Sequence, residues 1–435
     1  QGMTIDLKSS KDQTVRIPTQ AFLEQLCLQC AAEAVAHGVE KISWRFSFPT
    51  AFSPKDLQEF RRIWDQITDA CAQVTGVISS DAFPSEVTES IASARFFAEH
   101  VKAPFATGTV CIDIGGGTSD ISIWQANKLC WQTSIRFAGR DIFLNPLYKN
   151  PDFLRTFQVD HPSLQSLKNT RGNRSAFYAQ ADALISRQGQ GWLDNLKAYA
   201  STGEVEGFVQ LIAVGLSGLY YYVGSLLQYL HKTSGYKPQM PNVYVAGNGA
   251  KMFHWLAAGK YDSRSPINDL FKAVLLKASG FKVDPRMFAV KVSPEPKAEA
   301  AFGLVSERKT LDENQGAKAD EVLAGEGFME SGNPCDWSKT LTAKRLTNGL
   351  DAPQQLARFE DFVQTFDAYA QSRNAVVSPI AHDDVLINQI YQHLSQTLAD
   401  FRGVDEKAIH VEPLFISELK KLLEIKTDEW TSNNP

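Results

Sequence analysis

The stretch CIDIGGGTSDISIW, residues 111–124, decides how this chain is read. An apolar run ends at Ile114, three glycines and Thr118 follow, and a second run begins at Ser119. That pattern predicts strand, tight turn, strand over Val110–Trp124. Two other glycine loops are excluded by what comes next. A G-x-x-x-x-G-K-[ST] loop and a dinucleotide fingerprint both lead into a helix, whereas here a strand follows. A glycine turn between strands is a hairpin tip whose bare amides can approach an anion, because no Cβ intervenes. The carboxylate just before it, Asp113, can hold a hydrated Mg2+ beside that anion.

Working outward, Leu129–Ile135 predicts a third strand, and residues 141–232 read as nearly all helix with polar turns near Gly172 and Gly189. Asn242–Ala246 (NVYVA) predicts a buried strand, followed by Gly247-Asn248-Gly249 and a helix from Ala250. Phe281–Val292 reads as strand and Lys297–Arg308 as helix. Upstream, TIDLK and TVRIP within residues 4–18 predict two short strands before a helix, Gln20–His37, that Gly38 ends. Lys41–Pro49 predicts a strand. A helix follows with Ser53 as N-cap and Pro54 at its first position. Residues 76–79 predict a short strand, and 84–100 a third helix. The tail, from Lys309 to Leu350, is polar and reads as a loop or linker. Helices are then expected over 353–371, 383–402 and 412–425, the first with a stripe of Leu356, Phe359, Phe362, Val363 and Phe366 that must be covered. The expected cover is the first lobe.

Taken in order, these segments resemble the actin / DnaK-type chaperone / sugar-kinase superfamily over roughly Met3–Arg308. The motif Asp113-Ile114-Gly115-Gly116-Gly117-Thr118-Ser119-Asp120 is similar to its second phosphate motif. Pro84 to Ala94 (PSEVTESIASA) resembles its first connecting helix, although Val87 stands where the chaperones carry proline. Val243 to Ala250 resembles the adenosine motif, without completing G-x-G-x-x-G because Met252 takes the last place. Pro294 to Leu304 resembles the second connecting helix, and Phe137-Ala138-Gly139-Arg140-Asp141 the turn after the third strand.

The resemblance implies an α/β chain with an actin-like, two-lobed, ribonuclease-H-like core, mixed sheets, a helical insertion and a helical C-terminal extension. Its expected parts are a first lobe over 3–108 and a second over 109–293, with the insertion at about 141–232. A connecting helix over 294–308 and a polar loop plus helices over 309–435 follow. It also implies ATP and Mg2+ as cofactors, with Asp113 on the metal and Glu86 near the attacking water as catalytic residues. Gly115, Gly116, Gly117 and Thr118 would clamp phosphate, and Gly247, Asn248 and Gly249 would lie under the nucleotide. Family members also carry an earlier D-x-G-[TS] hairpin. Here Asp6 is followed by Lys8 where that glycine belongs. The expectation is therefore an incomplete core, with a tag-like Gln1-Gly2 before Met3, that binds ATP weakly and does not turn it over. Two alternatives stay open: a small-metabolite kinase, and a non-catalytic actin-like scaffold. No apolar interdomain linker or β-rich peptide-binding domain follows Gly303, which argues against refolding-chaperone activity.

Composition agrees with a globular protein: 435 residues, 43% hydrophobic, net charge −5. That charge gives no push toward nucleic acid. The expected partners are a nucleotide and, through the C-terminal extension, a protein. Phe208–Leu230 is uncharged and long enough to span a bilayer, yet it holds Gln210, Ser217, Ser225, Gln228 and three tyrosines. It is expected to be a buried helix whose hydroxyls find partners, not a membrane span. Six cysteines in a chain this long do not form a disulfide framework, and Cys27-x-x-Cys30 inside a helix reads as packing. A cytoplasmic location follows as an expectation.

Overall fold

The hairpin predicted at residues 110–124 is the centre of a five-stranded sheet. The computed structural model describes residues 13–50, 52, 54–79, 85–170, 172–199, 202–306, 311–313 and 322–433. Its first lobe contains α1 (Gln13–Ala36), β1 (Lys41–Ile42), β2 (Arg45–Phe48), α2 (Pro54–Thr75), β3 (Ile78–Ser79), β4 (Ser85–Thr88) and α3 (Glu89–Glu99). β1 pairs parallel with β3, and β2 parallel with β4. The second lobe opens with β5 (Thr109–Ile114), β6 (Ser119–Gln125) and β7 (Lys128–Ile135). A π-turn at Arg140–Leu144 then leads into the insertion: α4 (Asn145–Lys149), α5 (His161–Asn169), α6 (Arg174–Asp194), α7 (Leu196–Tyr199) and α8 (Gly203–Ser234). Next come β8 (Asn242–Ala246), α9 (Met252–Leu256), α10 (Asn268–Ser279) and β9 (Val290–Val292). α11 (Glu299–Val305) returns the chain to α3, against which it packs.

Strand order in the main sheet is β7-β6-β5-β8-β9, the first three antiparallel and the last three parallel. That order and sense are those of a ribonuclease-H-like sheet, as the resemblance implied. Its two faces are separated by the pleat. Val110, Ile112, Ile114, Val243 and Val245 enter the larger core. Cys111, Tyr244 and Ala246 enter a smaller one with Phe96 and Phe97 of α3. A sheet covered on both faces explains why its central strands read as continuous apolar runs.

α8 is long and apolar enough to cross a membrane by length and composition, and 89% of its most apolar window is buried in this fold. It packs on α10, α9 and β7. Tyr221 donates to Asp361 at 2.8 Å and Tyr222 to the Leu323 carbonyl at 3.1 Å. The expectation of partners fails at Tyr220, whose buried hydroxyl has none among the described residues and whose ring stacks on Phe271 at 4.8 Å.

Several elements differ from the sequence reading. TVRIP is not a strand: Gln13 to Pro18 begin α1, with Pro18 in its second turn. TIDLK lies outside the described residues, as does Ser53. Lys41–Pro49 is two strands, β1 and β2, that pair with different partners. The third helix starts at Glu89, because Ser85–Thr88 pair with β2 and Thr88 caps the helix by accepting from the Ile91 amide. Most of Phe281–Val292 is not strand. Asp284 caps a turn at Pro285–Met287, and only Val290–Val292 joins the sheet.

The tail differs most. Within the stretch read as a loop, β10 (Val322–Leu323), β11 (Phe328–Glu330), β12 (Asn333–Cys335), β13 (Thr340–Leu341), α12 (Ala343–Thr347) and β14 (Leu350–Asp351) form small antiparallel sheets. Leu323 lies in the short run Val322-Leu323-Ala324, Phe328 is followed only by Met329, Leu341 and Leu350 stand alone, and all four are buried. After them run α13 (Ala357–Ala370), α14 (Asp384–Asp400) and α15 (Leu414–Asn433). They do not cover the first lobe. α15 packs on α8, α13 packs on α10, and both join the larger core of the second lobe. The reason is fit: α8 presents Gly218, and Leu419 of α15 fills the space a Cβ would take, with Cδ2 at 2.4 Å from that position.

This docking buries two carboxyls. Glu326 accepts from the Arg358 and Phe359 amides, both at 2.9 Å, and so caps α13. Burial still pushes it up to about 7. Glu418 of α15 is fully buried, neither oxygen has a hydrogen-bond partner among the described residues, and burial, then Glu326, raise it well above the usual range. A carboxyl raised on folding stabilises below its unfolded value and loses that stabilisation as pH rises through its folded value. Thermal melts should therefore show stability falling from pH about 4.5 toward 7 and beyond. Glu418→Met should raise stability at pH 8 by roughly 1–3 kcal/mol and flatten that slope. A variant with an unchanged slope and lower stability at pH 8 would refute this account.

Candidate functional site

Asp113 sits near the end of β5, opposite Asp120 on β6 and beside Ala246 on β8. Cross-strand partners share a face, so the two aspartates lie side by side, an arrangement that favours a nearby cation. Asp120 was quoted in the motif without a role, and the register supplies the signal. Ser93 of α3 donates to Asp113 Oδ2 at 3.1 Å. The carboxylate thus stands at the seam between the second lobe and α3. Among the described residues no three His, Cys, Asp or Glu gather, so a metal here would draw its remaining ligands from water and phosphate.

Beyond Asp113 the turn is closed by the Gly115 amide donating to the Thr118 carbonyl at 2.9 Å. It is also clamped from outside: the Gly139 amide donates to the Gly115 carbonyl at 3.2 Å and the Arg140 amide to the Gly116 carbonyl at 2.7 Å. Gly116 is exposed at the tip, with Gly115, Gly117 and Thr118 half-buried. The Arg140 side chain lies across the tip, Nη1 being 3.2 Å from where a Cβ on Gly117 would sit. Sequence reasoning quoted Arg140 only within a resemblance. The backbone clamp that places it has no sequence signature.

Gly247 and Gly249 do not face the hairpin across a cleft. They abut it. Gly247 has φ +80°, and a Cβ there would lie 2.3 Å from Asp113 Oδ1 and 2.5 Å from the Ile114 carbonyl. A Cβ on Gly249 would lie 2.3 Å from Ile114 Cγ2. Both glycines are buried, and only Asn248 between them is exposed. Packing of β8 against β5 therefore explains the two glycines by itself. The structure does not bring Glu86 to these groups by any hydrogen bond of its own. It lies on β4, where Arg61 Nε donates to its Oε1 at 2.7 Å. Two concavities, of 390 and 240 Å3, lie elsewhere, around Thr397, Phe401 and His410 of the C-terminal extension.

No family model matches this sequence, and no curated protein matches it. Among solved structures the chain is similar to the ethanolamine utilization protein EutJ from Carboxydothermus hydrogenoformans. Identity is 12%, with 66% of this chain and 73% of that one covered at a TM-score of 0.32. It is also similar to MreB5 of Spiroplasma citri bound to ADP, at 12% identity, covering 38% of this chain and 44% of that one with a TM-score of 0.25. A third is the activator of the 2-hydroxyisocaproyl-CoA dehydratase from Clostridium difficile with bound ADPNP, at 14% identity, 55% and 78% coverage and a TM-score of 0.25.

Proposed function

We propose that this chain is a nucleotide-binding domain that takes Mg-ATP at the Gly115–Thr118 hairpin. The observation that supports it best is the placement of Asp113. It stands beside an exposed glycine tip, at the seam where α3 and α11 join the two lobes. In this reading the Gly116 and Gly117 amides and Thr118 receive the phosphates while the Gly115 amide holds the turn closed, and Asp113 holds a Mg2+-bound water, with Asp120 adding charge. Asn248 is the exposed contact for the rest of the nucleotide. Gly247 and Gly249 let β8 come close enough to present it. The metal would neutralise phosphate charge, while Ser93 would transmit occupancy to α3. A reducing, cytoplasmic setting belongs to the same reading and suits six free thiols.

A second reading, a scaffold that binds nucleotide without turnover, is favoured by Glu86. Its carboxylate is engaged by Arg61 rather than left for an attacking water. Calorimetric titration with Mg-ATP, paired with phosphate release, tests both. Binding that weakens at least tenfold in Asp113→Asn, with no steady turnover, is the expected result. Steady turnover would remove the scaffold reading. No heat and no thermal shift at millimolar Mg-ATP, where a ~4 kcal/mol interaction registers, would overturn nucleotide binding altogether.

A further inference from the structure

We propose that Arg140 is the charged ligand for the terminal phosphates at the hairpin, assisted by Lys297 from the connection between the lobes. The proposal rests on the nucleotide reading above and extends it to two residues with no assigned role. Arg140 is fixed to the turn by its own amide, which donates to the Gly116 carbonyl at 2.7 Å, so its position follows the hairpin. Its guanidinium lies 3.2 Å (Nη1) from the Cβ position of Gly117 and 3.8 Å (Nε) from that of Gly116. A side chain at Gly117 would crowd it. The tip therefore presents backbone amides and a guanidinium together, the two donor types best suited to phosphate oxygens.

The surroundings leave this guanidinium available. Nε is buried without a hydrogen-bond partner among the described residues, a costly state unless a ligand completes it. Its aromatic neighbour is Tyr178 of α6, 5.8 Å from the ring centre, a contact that leaves the N–H edge open. Two carboxyls feel Arg140: Asp141, its neighbour in sequence, and Asp182 on α6, which also feels Lys297. Lys297 thus approaches from the strap between β9 and α11. It holds φ +87°, a left-handed conformation uncommon for lysine. Asp182 thus feels cations from two separate parts of the chain, one of them clamped to an anion-type turn. A polyphosphate entering the tip would draw Arg140 away from Asp182.

The test is titration of the full chain and of Arg140→Gln, Arg140→Lys, Lys297→Gln and Asp182→Asn with Mg-ATP, AMP and inorganic tripolyphosphate. Arg140→Gln should weaken Mg-ATP about ten- to a hundredfold, with little change for AMP and with the ligand-free melting temperature unchanged. Arg140→Lys should recover part of the loss, because it restores charge without the fork. Lys297→Gln should lose less, and Asp182→Asn should tighten binding. If the wild type binds Mg-ATP and Arg140→Gln binds it equally well, the inference falls and the nucleotide reading stands. If tripolyphosphate binds through Arg140 but Mg-ATP does not bind, the nucleotide reading falls and the anion site stands. Binding of neither probe overturns both. A ligand-free loss of stability in Arg140→Gln that Asp182→Asn reverses, with affinity unchanged, would make Arg140 a mere counter-ion.

Discussion

Gly303→Val should yield no stably folded protein, and Gly303→Ala should already cost at least about 3 kcal/mol, the upper end for overpacking. A Cβ at Gly303 would stand 1.8 Å from the Ala92 carbonyl oxygen, 2.7 Å from its carbon and 3.2 Å from the Phe96 amide nitrogen. All three atoms are backbone, so no rotamer change can relieve the contact. α3 and α11 touch main chain to main chain there, and little else can yield. Phe96 and Phe302 pack with ring centres 6.1 Å apart, and Arg45 donates to the Leu304 carbonyl at 3.1 Å. Forcing the helices apart would displace α3, and Ser93 with it, from Asp113. Stability and the proposed Mg-ATP binding should fall together. Gly191, exposed in α6 with nothing within 4 Å of its Cβ position, is the control. Gly191→Ala should instead stabilise by about 1 kcal/mol, the helix-propensity difference. Melting temperatures of the three variants decide the matter, and a Gly303→Val protein as stable as wild type would refute the close crossing.

What the sequence made legible follows from where its signals are strong. β5, β6 and β8 are buried on both faces, so their apolar runs and the glycine turn could be read directly. Small residues around Ser90 and Ala94, and again in Ala298–Gly303, suit a close helix crossing, since only small side chains permit one. Weak signals failed where tertiary contacts decide. SEVT reads equally as the start of a helix, and only pairing with Arg45–Phe48 makes it β4. The segment 322–351 hides its core in short apolar pieces, from Val322-Leu323-Ala324 to Phe328 and Leu341, with no period to detect. At the site, Asp113 and the glycines carry a local pattern. Arg140 and Lys297 have none, since a backbone clamp and a strap between lobes bring them there.

Removal of α15, residues 414–433, is expected to leave a chain that aggregates instead of folding. The helix buries Leu414, Phe415, Ile416, Leu419, Leu422, Leu423 and Trp430. At roughly 1.5–3 kcal/mol for each large apolar side chain, their loss approaches 10–20 kcal/mol, an upper bound because the unfolded chain is itself partly collapsed. That matches or exceeds the roughly 5–15 kcal/mol by which a domain is stable at all. Two contacts make the docking specific. Leu419 seats on Gly218, and Trp430 seats on Gly207, its ring 2.5 Å from that glycine's Cβ position, with Nε1 donating to the Glu204 carbonyl at 3.0 Å. Without them α8, uncharged from Phe208 to Leu230, would show its glycine-rich face to water and be poised for non-specific association. Leu419→Ala, a gentler change, should cost about 2–5 kcal/mol and keep the fold. Solubility, size-exclusion profile and binding of a hydrophobic dye report the outcome for the truncation, and thermal melts for the substitution. A truncated chain that elutes as a monomer and melts like wild type would mean that α15 is an appendage rather than the outer wall of the second lobe's core.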